Sequence, residues 1–358
     1  VFYPDRMGSG LERQGRVGIR DVAKAAGVSP TTVSHALSGK GRISEQTRTR
    51  VTETAQKLGY RPNRSAQHLV TGNSGLIALY AGNSSTPTGR LTSALPDYPF
   101  IMNIAMAASI EAIEQGLSMA LSSQTSEASA LLQMGVDGAV IVDPEVKDPV
   151  NEEFFEAGIP VVTVGRILGV QEEMNEHWVD VDHKKVTIEV LEHLKKRGAK
   201  RVAAISAPVG PSYVNDSLEG YKAWCESTGQ EPIFHTLEGR DYEQETRLAT
   251  KALLEKTDRP DAIFCHLQPV SVEVLRAVSA EGLSVPDEMM IATMSDDTKV
   301  NNLDGSGMPD LTGCNLHPEQ TAVEAVRMLA ALVAGEEPAN PHVYIPAEIT
   351  ARESTNRK

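Results

Sequence analysis

Along residues 19–58 the apolar positions recur with the helical period and break at turn residues. Ile19, Val22, Ala23 and Ala26 fall at i, i+3, i+4 and i+7, a stripe that predicts a short helix from Ile19 to Ala26. Gly27 stops it, and Val28-Ser29-Pro30 follows. Ser29 is a good N-cap, because its hydroxyl can accept from an exposed backbone N–H of the next turn, and Pro30 sits where a missing donor costs nothing. The second helix, Pro30 to Leu37, turns Val33, Ala36 and Leu37 inward and leaves Thr31, Ser34 and His35 free. A third, Ser44 to Leu58, repeats the stripe at Val51, Ala55 and Leu58. Two short helices joined by a Gly-containing turn and closed by a third make a helix-turn-helix.

From Leu76 the period changes. Leu76–Tyr80, Ser118–Leu121, Ala139–Val142 and Pro160–Val164 read as short buried strands, with amphipathic stretches such as Ile101–Gln115 and Glu127–Met134 between them. After Trp178 the rhythm resumes, with strands at Val202–Ser206, Ala262–Cys265 and Met289–Met294. Helices are expected at Lys184–Arg197, Leu218–Thr228, Gln244–Glu255 and Val270–Glu281. Two successive runs of this kind predict an α/β core of two doubly wound parallel-sheet subdomains, behind an all-α head. Ligands in such sheets bind beyond the carboxyl ends of the strands, here in a cleft between the subdomains. The expected division is an arm at 1–17, read as disordered, the head at 18–62, a hinge and linker at 63–74, and the core at 75–358. Within the core, about 75–177 plus 313–336 form one subdomain and about 178–297 plus 342–358 the other. Met7 is a possible second start.

Charge sharpens that division. The 358 residues carry a formal net charge of −14, which on its face argues against nucleic acid as a partner. Residues 1–74, however, hold 12 Lys+Arg and 5 Asp+Glu, a net of +7, and the rest hold 22 and 43, a net of −21. An asymmetry of that size suggests a small basic module joined to a large acidic one; chance in a short segment is the alternative, and only a motif gives the basic surplus meaning. No apolar run approaches the ~18–20 residues of a membrane span, and the opening residues lack a signal peptide's apolar stretch. The cysteines, Cys225, Cys265 and Cys314, are widely spaced and form no CxxC. A disulfide framework or zinc site is therefore not expected, and a cytoplasmic location is.

A helix-turn-helix lays its second helix in the major groove, where short polar side chains near its start reach base edges. Thr31 and His35 are the candidates here, with Pro30 against a thymine methyl. Arg20, Arg48, Arg50, Arg61 and Arg64 could neutralise phosphates. The competing interpretation is a generic three-helix bundle with solvated polar faces, which the basic surplus disfavours.

The stretch Asp21-Val22-Ala23-Lys24-Ala25-Ala26-Gly27-Val28-Ser29, continuing Thr31-Thr32-Val33-Ser34-His35-Ala36-Leu37, resembles the signature of the lactose/galactose-repressor (LacI/GalR) family. The match runs on through Ser44, Thr47, Arg48 and Val51, Leu58-Gly59-Tyr60-Arg61-Pro62-Asn63 and Ala66-Gln67-His68-Leu69. Thr31 to His35 resembles the recognition helix of the purine-repressor branch more than that of the lactose repressor itself. The resemblance implies phosphate contacts from Ser29, Ser34, Ser44, Thr47, Arg48 and Asn63. It also implies a hinge helix over Arg64–Val70 that folds only on DNA, with Ala66 and Leu69 in the minor groove and Leu69 as the wedge. An apolar wedge can unstack a base step and bend the duplex, and a segment this short is not stable as an isolated helix. Gly18 departs from the family, which usually has a capping Thr that also touches phosphate.

Beyond residue 72 the resemblance is patchy. Pro99-Phe100, Val136-Asp137-Gly138, Ile159-Pro160-Val161-Val162, Gly220-Tyr221, Val285-Pro286 and Arg352-Glu353-Ser354-Thr355 match landmarks of a periplasmic-binding-protein-like core. The departures fall where the effector should sit. Ser217 replaces a common Arg, Leu267-Gln268 an Asn-Asp, and Thr293-Met294-Ser295-Asp296 a Gly-Phe-Asp-Asp. Such Arg and Asp side chains clamp sugar hydroxyls or a purine edge, so an ordinary sugar effector is in doubt. The effector candidates are Phe100 and Ile101 as apolar walls, with Asn215, Ser217, Gln268 and Asp296 as polar groups. The polar stretch Asn83 to Pro96 is read as an insertion that covers the pocket or is disordered.

His177, Asp180, Asp182 and His183 cluster near a strand end but read as ordinary polar residues rather than metal ligands. There is no GxxxxGK[ST] loop and no GxSxG elbow, and no catalytic residue or cofactor is assigned. The expected function is a sequence-specific repressor. It binds a pseudo-palindromic operator as a homodimer, with a small-molecule effector (a sugar, polyol, nucleoside or base) in the cleft. No leucine heptads follow Arg352, so no tetramerisation coil is expected. The rivals are a solute-binding protein and an α/β enzyme sharing the core fold.

Overall fold

The computed structural model describes residues 17–38, 41–60, 73–81, 99–122, 128–238, 241–295 and 308–357. Its contacts divide the chain into two units, Val1–Ser74 and Gly75–Lys358. In the first, α1 (Ile19–Ala26), α2 (Pro30–Ser38) and α3 (Glu45–Lys57) pack around Val22, Ala23, Ala26, Val33, Ala36, Val51 and Ala55. Four of those seven residues are alanines, so the helices can approach closely enough for a very small core to exclude water. Gly27, at φ 66°, ends α1, with the Val28 N–H bonded to the Ala23 carbonyl at 3.0 Å. Leu58 was expected in this core but is 38% exposed. Gly59, also at φ 66°, turns the chain there, so that Tyr60 packs against the core instead and donates to the Ala55 carbonyl at 2.9 Å.

The second unit contains two parallel sheets. Strands β1 (Leu76–Ala81), β2 (Ser118–Ser122), β3 (Gly138–Val142), β4 (Val161–Val164), β5 (Trp178–Val181) and β11 (His342–Ile345) form one, in the order β11-β5-β4-β3-β1-β2. Strands β6 (Val202–Ser206), β7 (Phe234–Thr236), β8 (Ala262–Cys265) and β9 (Met290–Thr293) form the other, in the order β7-β6-β8-β9. Central strands such as Gly138–Val142, Val202–Ser206 and Ala262–Cys265 are buried at every position, because helices cover both faces. On the first sheet these are α4 (Pro99–Glu114), α5 (Ala128–Gln133), α6 (Pro149–Glu156) and α11 (Pro318–Val333). On the second they are α7 (His183–Lys196), α8 (Ser212–Thr228), α9 (Tyr242–Leu254) and α10 (Gln268–Ala280). A ribbon of β10 (Gly313–Asn315) and β12 (Glu348–Thr350) lies beside β9, which bridges Thr312 through Ala292.

The subdomain boundary differs from the sequence expectation. Trp178–Val181 was assigned to the second subdomain, yet it pairs with β4 and β11 in the first sheet. Residues 342–345 were assigned there too and form that sheet's edge. The chain crosses after these strands, at Asp182 following β5 and beyond Ile345 following β11, and not before them. The resumption of the strand–helix rhythm at Trp178 marks the next strand and carries no information about which sheet it joins. Residues 313–315, assigned to the first subdomain, pair instead with β12 beside β9.

Candidate functional site

In the head, Pro30, Thr31, Ser34 and His35 are all exposed along α2. The helix start is built from local hydroxyls. Ser29 Oγ accepts the Thr32 N–H at 3.0 Å and lies 2.8 Å from Thr32 Oγ1. Ser44 does the same for α3, accepting the Thr47 N–H at 3.3 Å, with its Oγ 2.8 Å from Thr47 Oγ1. At α1 the cap is Gly18, whose N–H donates to Asp21 Oδ2 at 2.8 Å. Arg48 reaches back to the Ala36 carbonyl with Nη1 at 3.2 Å and lies 3.9 Å from Glu45, so it braces α3 against the end of α2. The His35 ring lies along Gly41, where an added Cβ would meet Nδ1 at 2.9 Å. Arg20, Lys24, Arg42, Arg50 and Lys57 are exposed. Asn63, Arg61, Arg64, Ala66 and Leu69 lie outside the described residues.

In the core, a polar cluster forms where the carboxyl ends of both sheets meet. Arg166, directly after β4 and Gly165, donates from Nε to Asp180 Oδ2 at 3.2 Å and from Nη2 to Asp216 on α8. Its backbone N–H donates to Ser212 Oγ at 3.0 Å. Asp180 also accepts the Val181 N–H at 2.7 Å and stands 3.6 Å from His183 Nε2. Burial nevertheless dominates and pushes the Asp180 carboxyl up to about 6. Asp143, held at φ 49°, is raised to about 7 by burial and then by the charge of Asp180. Burial opposes the charge on Arg166, but Asp216 and Asp180 outweigh it and hold the guanidinium above its usual range. Burial lowers His183 to about 4, so the imidazole is neutral. Trp178 forms a wall, stacked on His342 at 4.8 Å, edge-on to Tyr344 at 4.9 Å, and 6.0 Å from the guanidinium.

A second polar group sits at the carboxyl end of β8. His266 is buried, with Nδ1 2.7 Å from Ser206 Oγ, and that hydroxyl donates to the Ala207 carbonyl at 2.9 Å. Because the serine proton is committed, His266 donates from Nδ1 and leaves Nε2 as an acceptor. Nε2 finds no hydrogen-bond partner among the described residues.

The sequence-expected effector residues fare unequally. Phe100 and Ile101 pack beside Ala81 at the carboxyl end of β1. Asn215 spends its amide on the Gly210 and Pro211 carbonyls at 2.9 and 3.0 Å, closing the turn into α8. Ser217 is fully buried within α8, and Gln268 is buried at the start of α10. Asp296 lies outside the described residues. Asp180 and His183, first weighed as metal candidates, belong to the polar cluster, whereas Arg166, Asp143 and Asp216 were missed. A charged residue directly at the end of a buried strand was the available signal for Arg166.

The exposed apolar side chains of the first subdomain include Met106, Ile110 and Ile113, which are 59%, 56% and 70% exposed. Their i, i+4, i+7 spacing puts them on one face of α4, while α4 also packs on α11.

Two family models match the chain. Residues 18–63 match the bacterial regulatory proteins of the lacI family, and residues 191–355 match a periplasmic binding protein-like domain. The transcriptional regulator CelR of Thermobifida fusca is 27% identical over 351 residues, covering 96% of this chain and 100% of its own. Catabolite control protein A of Priestia megaterium is 27% identical, covering 95% and 99%. Among solved structures, a CelR–cellobiose complex superimposes with a TM-score of 0.68 at 25% identity, covering 95% of this chain and 100% of that one. A lac repressor dimer bound to operator and an anti-inducer gives 0.75 at 22% identity, covering 95% and 99%, and shows the shared fold. With a helix-turn-helix head, a two-sheet core and whole-chain relatives of one kind, the chain belongs to the LacI family of DNA-binding transcriptional regulators.

Proposed function

We propose that this regulator is a repressor that grips a pseudo-palindromic operator as a homodimer and responds to a small molecule bound between its core subdomains. The observation that carries this reading is the exposed Pro30-Thr31-Ser34-His35 face of a capped α2, in a segment whose net charge is +7. Thr31 and His35 read base edges and Pro30 packs on a thymine methyl. Ser29, Ser34, Ser44, Thr47, Arg48 and Asn63 hold phosphates, and Leu69 with Ala66 enters the minor groove. Two-fold symmetry presents one α2 to each half-site. The exposed Met106-Ile110-Ile113 row supports a second copy as its cover, because contiguous apolar rows of this kind mark association surfaces.

The effector acts only if it binds one core arrangement better than another. CelR is recorded with cellobiose, which makes that disaccharide the first probe, although the usual Arg at position 217 is Ser here. DNase footprinting of the full chain on duplexes selected from a random pool tests the DNA half of this reading. A symmetric protected site is expected, and its absence at moderate salt refutes the operator assignment. Thermal-shift screening of cellobiose, other sugars, polyols, nucleosides and bases tests the effector half, with a raised melting temperature as the positive result.

A further inference from the structure

The contacts of Arg166 cross from one subdomain to the other. Arg166 leaves the carboxyl end of β4, and its partner Asp180 lies in β5 of the same sheet. Asp216 and Ser212 lie on α8, which packs on α7 and β6 of the second subdomain. The approach is close because Gly165, at φ +92°, has no side chain. A Cβ there would meet Ser212 Oγ at 3.4 Å, Pro144 Cδ at 3.6 Å and Asp143 Oδ1 at 3.9 Å. Ser212 Oγ in turn lies 3.5 Å from Asp180 Oδ2, so three groups of the first subdomain, the Arg166 amide, its guanidinium and Asp180, converge on one turn of α8. Arg166 and Asp216 are about four-fifths shielded from solvent, with side chains 24% and 18% exposed, and Asp180 is 4% exposed. A pair so placed is screened far less by salt than a surface pair.

We propose that Arg166 is a latch that fixes the two core subdomains relative to one another, by pairing Asp180 on its own side with Asp216 and Ser212 across the seam. The proposal rests on the reading that the seam is where the core responds to its effector. Its consequence is that an effector requiring a different subdomain arrangement must compete with these contacts. A ligand whose binding state is only fractionally populated shows an apparent affinity reduced by that fraction.

The test measures subdomain separation in the effector-free full chain. Nitroxide labels go on exposed Glu153→Cys of α6 and Lys251→Cys of α9, while the native Cys225, Cys265 and Cys314 are buried. With the labelled chain diluted into excess unlabelled chain, so that only pairs within one protomer contribute, pulsed electron–electron double resonance should give one narrow distance population in the parent. Arg166→Met and Asp216→Asn should each shift or broaden it, and the double variant should add little to either single change, as expected for two ends of one contact. Asp216→Asn is nearly isosteric and keeps folding intact, which unchanged circular dichroism verifies. A broad or bimodal parent distribution overturns the latch, as does an unchanged distribution in both variants or strictly additive effects. The thermal-shift screen reports effector binding in the parent whatever these distances are, so a failed latch and a failed effector reading are distinguishable.

Discussion

The head and the core keep their polar groups in opposite places. Among the described residues, the head buries only apolar side chains, and its hydroxyls cap helices at the surface, as Ser29 does for Thr32 and Ser44 for Thr47. The core buries Asp180, His183, Ser206, Ser212, Ser217, His266 and Gln268, most of them near the carboxyl ends of its strands. A module that addresses a groove must present its chemistry outward on a rigid scaffold, so a minimal alanine-rich core suffices. A module that encloses a small molecule must hold donors and acceptors inside, where each unsatisfied group is costly until something pairs with it. The charge follows the same division, with the basic surplus on the part that meets phosphate.

Changes that separate the two regions test this comparison. The largest effect is expected from Gly220→Ala on α8. The added Cβ would sit 2.6 Å from the Lys184 carbonyl and 3.2 Å from its Cα, backbone atoms that cannot rotate away. A loss of roughly 3 kcal/mol is expected. Both tryptophans, Trp178 and Trp224, lie in the core, so their emission during thermal unfolding isolates this loss from the head. An unchanged tryptophan transition would mean that α7 and α8 are less closely packed than described.

His35→Ala should cost about 2 kcal/mol of operator affinity, confined to one base position in each half-site. Competition with singly substituted duplexes measures it, and uniform weakening would make His35 a phosphate contact. Ser44→Ala should cost the head about 1 kcal/mol by removing the α3 cap, without moving the tryptophan transition. Hydrogen exchange of the α3 amides reports the first effect. A shift in tryptophan emission would show the two units to be coupled.

The remaining effect concerns pH. Asp143 titrates near 7 in the fold against an ordinary 3.8, so between those values the folded chain holds a proton that the unfolded chain has released. Its contribution to stability therefore falls as pH rises through that window. Asp180, at about 6, acts in the same direction. His183 at about 4 and His266 at about 3 act oppositely below 6.5, because there the unfolded imidazoles take up protons. Asp143→Asn should thus raise the melting temperature relative to the parent progressively between about pH 4.5 and 7, then level off. A difference that shrinks over that range would reverse the assignment.

The head was legible in the sequence because everything that defines it is local. Stripe spacing, Gly27, the Ser29-Pro30 start and the Ser44 cap all act within a few residues of one another. Seven strands of the core were legible for the same reason, whereas Trp178–Val181, Phe234–Thr236, Gly313–Asn315, His342–Ile345 and Glu348–Thr350 were not among those expected. The polar cluster was not, because Arg166, Asp180 and Asp216 meet only after sheet formation and a subdomain crossing bring distant segments together. Asn215 shows the converse: its polar side chain at the expected position closes a local turn. The misassigned strand at Trp178 has a similar origin, since pairing partners are set by topology and not by hydrophobic rhythm.

The most direct test of the account is site selection from randomised duplex DNA by the full chain at physiological salt, followed by footprinting of the selected sequence. A two-fold symmetric site with both half-sites protected is expected, with loss of discrimination at one position per half-site in the His35→Ala protein. Enrichment of no symmetric sequence, or protection that persists unchanged when Thr31 and His35 are both replaced by alanine, would contradict it.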